Sequence, residues 1–264
     1  MIRPGNPVPD VSGPHEQAER SPHGQPRPEV EDAPRQPTAA ERARTLVEGN
    51  SSPALVIPGL APAPTTPLVP LRHSVGPAGD VFLLFPRESP AVRAVRAAAD
   101  DEAAAVLEIT DVAPVAVPYR IRGRAWVAGW LTAVPGGSFE TGAELLRLEV
   151  GDISLDDLWG AAQVDPDEFA DAAADPLAAH EAEALQHLAA AHAGEVGSLC
   201  SLVSGAGRCT TGAVPVALDR FGLRVRFRAE GGGFDARFDF PEPVDGLPGA
   251  QRALRELFAA ARAD

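Results

Sequence analysis

The chain contains no lysine, and all 23 of its basic residues are arginines. Because lysine is absent, neither a lysine Schiff base nor the phosphate-binding lysine of a P-loop is available to this protein. Acidic residues outnumber the arginines and give a formal net charge of -14. A charge of this sign opposes binding to phosphate backbones, so we expect no nucleic acid partner.

Cysteine and long apolar runs are also scarce. The two cysteines, Cys200 and Cys209, could form at most one disulfide with each other. One cross-link is too few to stabilise a chain of 264 residues, so a hydrophobic core has to hold the fold together. Their spacing from the histidines matches no zinc-finger pattern, and we expect no metal site there. No apolar run approaches the roughly 20 residues of a membrane span, and the polar N-terminus has no signal-peptide core. We therefore expect a cytoplasmic protein with no membrane partner.

Composition and periodicity divide the chain into three parts. Residues 1–37 hold nine of the 27 prolines and few large apolar residues, which predicts a disordered tail. Residues 38–162 contain short apolar segments separated by proline and glycine turns, with one helical segment, which predicts a small β-barrel. Residues 163–264 predict an α+β domain with the order α-β-β-β-α.

Two local patterns in the barrel domain carry structural information. Thr38 is followed three residues later by Glu41, which is the signature of a helix start. The segment 117–134 is long enough for two strands or for one long bent strand. Its alternation of Tyr119 and Ile121 with arginines predicts one buried face and one wet face that carries the arginines.

The second domain begins with a predicted helix over roughly 177–203, which carries His180, His187 and His192. At about 100° per residue, His192 lies in the apolar stripe of this helix, so we expect it to be buried and structural. His187 lies about 140° from His192, on the side of His180. From one straight helix, His187 and His192 therefore cannot ligate the same metal. We expect His187 and His180 to face outward, toward the barrel or a dimer partner.

The strands after this helix carry a stripe of arginines. Residues 223–228 place three apolar side chains on one face of a strand and three arginines on the other. We interpret the arginine face as the wet face of an edge strand that pairs with Asp235 and Asp239 across a hairpin. The alternative is a binding site for propionates or phosphates. The three glycines at 231–233 predict the hairpin turn.

Three motifs of the second domain resemble the DUF2470 domain. They are the H-x-x-x-x-H of His187 and His192, the D-R-x-G-L turn that starts at Asp219, and the F-x-F-P-x-P-V segment that starts at Phe238. The barrel segment GDVFLLFPRESPAVRAVRAAADDEAAAVLEI is similar to the split barrel of pyridoxamine-phosphate-oxidase-like flavoproteins. Together, the two domains resemble the haem-utilisation and haem-binding split-barrel family over about residues 38–263.

The resemblance implies an α+β protein in which a split β-barrel, of the FMN-binding split-barrel type, precedes a DUF2470-like domain. It also implies a homodimer with haem as the cofactor. Iron ligation by His73, His180 or His187 is then expected. The expected partners of the haem propionates are Arg72 and Arg120.

The chain departs from the family pattern at three points. Ala189 and Ala191 stand where the family has Asn and Asp, and no histidine follows His192, although some haem-degrading relatives use one near the C-terminus. Ser89 and Ala91 match the Ser-x-Lys pair that holds the FMN phosphate, so the cationic partner is missing and FMN is the less favoured cofactor. One alternative function is a non-catalytic regulatory or adaptor protein that binds a protein partner. A flavin-dependent oxidoreductase is the second alternative.

Overall fold

The computed structural model describes residues 35–49, 51–60, 66–138, 142–203, 212–229 and 232–263. Residues 1–34 of the predicted tail lie outside the described residues, as do Cys209 and Gly231. The described part contains two hydrophobic cores, one inside a curled antiparallel sheet and one between a three-stranded sheet and its helices. None of the helices in these ranges combines the length and apolarity that crossing a bilayer requires.

The first domain is a barrel with three short helices. In chain order its elements are α1 (Ala39–Glu48), β1 (Ser52–Val56), β2 (Arg72–Val75), β3 (Val81–Pro86), α2 (Pro90–Ala97), β4 (Glu102–Val112), β5 (Ile121–Ser138), β6 (Ala143–Asp157), β7 (Gly160–Val164) and α3 (Pro166–Asp171). The predicted capping box is confirmed. The Glu41 amide donates to Thr38 Oγ1 at 3.2 Å, and the Thr38 amide donates to the Glu41 carboxylate at 2.8 Å.

The barrel sheet is antiparallel and has the order β1-β4-β5-β6-β3-β2, with β7 paired to β6. A bridge between Leu55 and Leu68 joins β1 to the chain that enters β2, so the two edges of the sheet approach each other. Segment 117–134 contributes one long strand, β5, rather than two. The sheet curls around alternating apolar side chains, as a barrel requires. The predicted split-barrel fold is confirmed.

The second domain has the predicted α-β-β-β-α order. Its elements are α4 (Glu181–Ala191), α5 (Ala193–Ser198), a 3-10 turn (Leu199–Leu202), β8 (Ala213–Asp219), β9 (Gly222–Ala229), β10 (Gly232–Asp239) and α6 (Leu247–Ala263). The apolar face of β9 is buried against the helices, as predicted. The core of this domain also takes in Ala113, Val115 and Val117 from the β4–β5 connection, so the barrel contributes chain to both cores.

The prediction of one helix over 177–203 is wrong. The helix ends at Ala191, and His192 has φ -124° and ψ 24°, which is outside the helical range. Gly194 and Gly197 follow the break, and glycine is among the poorest helix formers. The preceding helix α3 is short and ends at Asp171.

The predicted exposure of the arginine stripes is wrong for Arg122 and Arg224, whereas Arg120, Arg124 and Arg228 are exposed as predicted. β9 is the central strand of its sheet, and Arg224 is only 1% exposed. On the barrel side, Tyr119 and Ile121 are exposed, whereas the Arg122 side chain is largely buried. The reason is the same in both cases, since the two arginine faces meet at the junction of the domains. A face that is wet in an isolated domain becomes covered when the other domain packs on it.

Candidate functional site

A cleft of about 880 Å³ lies between the two domains. One wall is formed by residues 117–124 at the start of β5, together with Asp156 and Leu158 of the barrel. The other wall comes from β8, β9 and β10. The volume lies within the range of small-molecule pockets in proteins.

Two arginine runs of identical spacing supply the charge of this cleft. The run R-x-R-x-R occurs at 120–124 before and within β5, and again at 224–228 within β9. Alternate residues of a strand point to the same side, so each run directs its guanidinium groups to one face. Five arginines line the cleft, against two aspartates, and the arginines are Arg120, Arg122, Arg124, Arg226 and Arg228. The cleft is thus cationic on a protein that is strongly acidic overall.

Two of these arginines are engaged in buried or half-buried ion pairs. Arg122 donates to both oxygens of Asp111 and both oxygens of Glu181, at distances of 2.6 to 3.0 Å. Arg226 binds Asp235 through two hydrogen bonds of 2.6 and 2.9 Å. Burial raises the pKa of the Glu181 carboxyl, against the lowering effect of Arg122. Both pairs hold the cleft walls in place.

The remaining three arginines have no carboxylate partner within the described part of the chain. Arg120 donates only to the carbonyl of Ala113, at 3.0 Å. Arg124 and Arg228 are exposed, and their guanidinium groups form neither a hydrogen bond nor an ion pair there. A guanidinium presents a planar fork of donors that matches a carboxylate or a phosphate. The cleft therefore offers three cationic donors to an anionic ligand.

Trp159, which follows β6, contacts two arginines of the second domain. The guanidinium carbons of Arg224 and Arg237 lie 4.8 and 4.6 Å from its ring centroid. Arg237 is neutralised by Asp219, whereas Arg224 donates only to the carbonyl of Leu158, at 3.0 Å. Burial, together with the charge of Arg237, lowers the pKa of Arg224 to about 10. The Nη2 group of Arg224 is buried and has no hydrogen-bond partner in the described parts of the chain.

The predicted site residues are placed in different parts of the molecule. Arg120 lines the cleft, whereas Arg72 lies exposed on β2. His73, also on β2, donates from Nε2 to the carbonyl of Val47 at 2.7 Å, since a carbonyl can only accept. None of the histidines among the described residues lines the cleft. Their predicted role as iron ligands stays a prediction.

The helix break gives the second-domain histidines a different arrangement from the one expected. The ring centroids of His187 and His192 lie 5.1 Å apart, so the predicted divergence of the two imidazoles is wrong. His192 is not buried either, because 39% of its side chain is exposed beside Glu195 and the ring of Phe258. His180 and His187 are exposed, as predicted. Within the described ranges, no three His, Cys, Asp or Glu side chains are grouped so as to hold a metal ion.

The residues that match a flavin phosphate site do not fit that ligand. Ser89 caps helix α2, where its hydroxyl accepts from the amide of Val92 at 3.3 Å. Ala91 is fully buried and has no polar group to offer. An FMN phosphate requires several charge-assisted donors, and these two positions provide none that is cationic.

No family model matches the chain, and no curated protein matches it either. Among solved structures, a haem-binding protein from Mycobacterium smegmatis is similar at a TM-score of 0.56 and 19% identity, over 87% of this chain and 100% of that one. The two proteins share a fold. At this identity the similarity shows the fold alone.

Two further solved structures are more distant. A protein of unknown function from Agrobacterium tumefaciens has 17% identity over 85% of this chain and 97% of that one, with a TM-score of 0.37. A FAD- and haem-binding protein from Mycobacterium smegmatis has 16% identity over 49% of this chain and 83% of that one, with a TM-score of 0.30. At these scores, neither similarity bears on the site.

The sequence pattern pointed to only part of the cleft. It predicted Arg120 as a site residue and offered the arginine face at 224–228 as an alternative site for propionates or phosphates. It did not predict Arg124 or Tyr119 as site residues, because the two arginine runs were interpreted as separate wet faces. The signal that could have found them is the recurrence of R-x-R-x-R in two strands of different domains. Two cationic faces repel each other unless counter-charges or an anionic ligand lie between them.

Proposed function

We propose that this protein binds haem in the arginine cleft between its domains. The observation that carries this proposal is the presence of Arg120, Arg124 and Arg228, three guanidinium groups without a carboxylate partner in the described chain, around an 880 Å³ cleft. Haem presents two propionate carboxylates on a planar apolar ring. The fold shared with a haem-binding protein supports haem over other dianions of similar size.

The lining of the cleft suits both parts of such a ligand. Arg124 and Arg228 come from opposite walls and are free to donate to propionates, and Arg120 adds a third donor. Apolar side chains of Ile121 and Val214 offer contact to the macrocycle. When bound, haem would supply an iron centre that takes up further ligands or electrons. The protein would supply the charge complement and the apolar walls.

The proposal is tested by titrating haem into the purified protein and into two matched double variants. The cleft variant is Arg124→Ala with Arg228→Ala, and the control is Arg252→Ala with Arg255→Ala, two exposed arginines on α6. Each double variant removes the same charge. We expect a saturable Soret shift for the wild type and the control. For the cleft variant we expect an affinity at least about tenfold lower, since a hydrogen bond to a charged group contributes about 1.5–3 kcal/mol.

A wild type that shows no Soret shift would remove the proposal, and so would equal affinities of the two double variants. The same preparation separates the alternatives. Flavin released on denaturation of the isolated protein would favour the flavin-dependent oxidoreductase. A protein that binds neither haem nor flavin would leave the adaptor hypothesis, which a cross-linking search for a protein partner then tests.

A further inference from the structure

Tyr119 is the one tyrosine of the chain, and it lies at the arginine cleft. It is 91% exposed, and its phenol oxygen makes no hydrogen bond within the described residues. Its backbone has φ 55°, in the left-handed region that residues other than glycine rarely adopt. An exposed aromatic side chain on a strained backbone gains no folding energy from its position. Such strain is concentrated at ligand-binding sites in proteins.

The loop that carries Tyr119 is held by contacts from both domains. Arg226 of β9 donates from Nη1 to the carbonyls of Pro118 and Tyr119, at 2.8 and 3.3 Å. The Ala113 amide donates to the Arg120 carbonyl at 2.7 Å, which closes the base of the loop. Arg226 is itself fixed by its two hydrogen bonds to Asp235. The backbone of this loop is therefore held by hydrogen bonds at the edge of the cleft, and Tyr119 is one of the residues that line it.

The other side chains of the cleft are poor iron ligands. A guanidinium has donors only and no lone pair to share, so the arginines are excluded. The carboxylate of Asp235 is occupied by Arg226, and none of the described histidines lines the cleft. The exposed Asp156 offers a carboxylate, which is not among the usual protein ligands of haem iron. Tyrosine is an established ligand of haem iron in proteins.

We propose that the phenolate oxygen of Tyr119 is the protein ligand of ferric haem iron in this cleft. This inference rests on the proposed function and names the ligand within the same site. On ligation the phenol proton passes to solvent, the oxygen–iron bond forms, and a water leaves the iron. No electron is transferred in this step. Arg124 and Arg228 hold the propionates, so affinity and ligation depend on different residues.

The test compares the ferric haem spectra of the wild type, Tyr119→Phe and three histidine variants, His73→Ala, His180→Ala and His187→Ala. The probe is ferric haem, and the readouts are the charge-transfer absorption of an iron–tyrosinate bond, its resonance Raman signature and the electron paramagnetic resonance signal. We expect Tyr119→Phe to lose the tyrosinate signature while it still binds haem through the arginines. The histidine variants and the Arg124/Arg228 double variant should retain the signature once saturated.

Two outcomes would overturn the inference while leaving haem binding intact. One is a Tyr119→Phe spectrum identical to that of the wild type, and the other is loss of the axial signature in a histidine variant. Failure of the proposed function is distinguishable, because the wild type would then show no Soret shift at all. Far-ultraviolet circular dichroism of Tyr119→Phe checks that the exposed substitution leaves the fold unchanged.

Discussion

Arg122 of β5 donates from Nη1 and Nη2 to the two carboxylate oxygens of Glu181 at the start of α4, at 2.6 and 3.0 Å. This pair joins the barrel to the second domain. Glu181 Oε1 also accepts from the Leu218 amide of β8 at 3.0 Å, and Arg122 donates to the Val216 carbonyl at 3.0 Å. Burial by itself would lower the pKa of Arg122. The carboxylates of Glu181 and Asp111 together have the larger effect, so the pKa of Arg122 is raised.

Replacing Arg122 with methionine should destabilise the protein strongly. The substitution keeps much of the side-chain volume but leaves the two largely buried carboxylates of Asp111 and Glu181 without a cation. Breaking a buried pair in this way costs about 3–5 kcal/mol of unfolding free energy. Urea unfolding measures the loss. Arg147→Ala, which breaks an exposed pair with Glu149, is the control and should cost less than about 1 kcal/mol. Equal losses in the two variants would contradict a role for Arg122 in joining the domains.

Replacing Arg224 with methionine should leave the free energy of unfolding unchanged or raise it. Arg224 is as buried as a core leucine, but no carboxylate of the described residues pairs with it, and it lies beside the charge of Arg237. Methionine removes a desolvated charge and keeps apolar contact with Trp159. We expect the unfolding free energy to stay within about 1 kcal/mol of the wild type or to rise by about 1–2 kcal/mol. If Arg224→Met lost as much unfolding free energy as Arg122→Met in the same urea experiment, the prediction that the Arg224 charge does not stabilise the fold would be wrong.

Replacing Asp175 with asparagine should change how stability depends on pH. Burial raises the pKa of Asp175, against hydrogen bonds from the amides of Leu177 and Arg220. Between the unfolded pKa, about 3.9, and the raised native value, the native state holds a proton that the unfolded state has lost. Stability from this group is therefore present at acid pH and lost as pH rises through that window.

Asparagine does not titrate, so Asp175→Asn should lose less unfolding free energy than the wild type as pH rises above about 4. Plotted against pH, the free energies of unfolding of the two proteins should differ in slope by up to about 1.4 kcal/mol per pH unit between the unfolded and native pKa values of Asp175. Urea midpoints at half-unit intervals from pH 4 to 7 measure both slopes. Asparagine also lacks the oxygen that accepts from the Arg220 amide, and this loss lowers the free energy of unfolding by a similar amount at every pH. Parallel curves for the two proteins would show that the native pKa of Asp175 is not raised.

Replacing Tyr119 with glycine should cost no stability while it removes the proposed iron ligand. Glycine adopts positive φ freely, which relieves about 1 kcal/mol of backbone strain, and the larger entropy of the unfolded chain offsets part of that gain. We expect a change in unfolding free energy between about zero and +1 kcal/mol. Asp101→Gly is the control, since Asp101 is the other described non-glycine residue with positive φ. Strong destabilisation by Tyr119→Gly alone would indicate that the exposed ring has a packing role.

Local patterns predicted the elements well where the periodicity was uninterrupted. The capping box at Thr38 and Glu41 was readable because both of its hydrogen bonds lie within four residues of the chain. The apolar face of β9 was equally readable from its alternation. The break at His192 was not, because an alanine-rich segment satisfies a helical pattern, and two later glycines weaken it without marking the site of the break.

The sequence by itself determined the order of the elements, the apolar faces that form the two cores, and the absence of lysine chemistry. Each depends on residue type and short-range spacing. Only the tertiary structure decided that the R-x-R-x-R run at 120–124 and the run at 224–228 meet across one cleft, since they lie about a hundred residues apart and in different domains. Docking of the domains buried Arg122 and Arg224 and left Arg124 and Arg228 exposed, with no ion pair to any described residue. The spacing of the arginines is thus local information, but their division into structural and ligand-facing residues depends on which part of each strand the other domain covers.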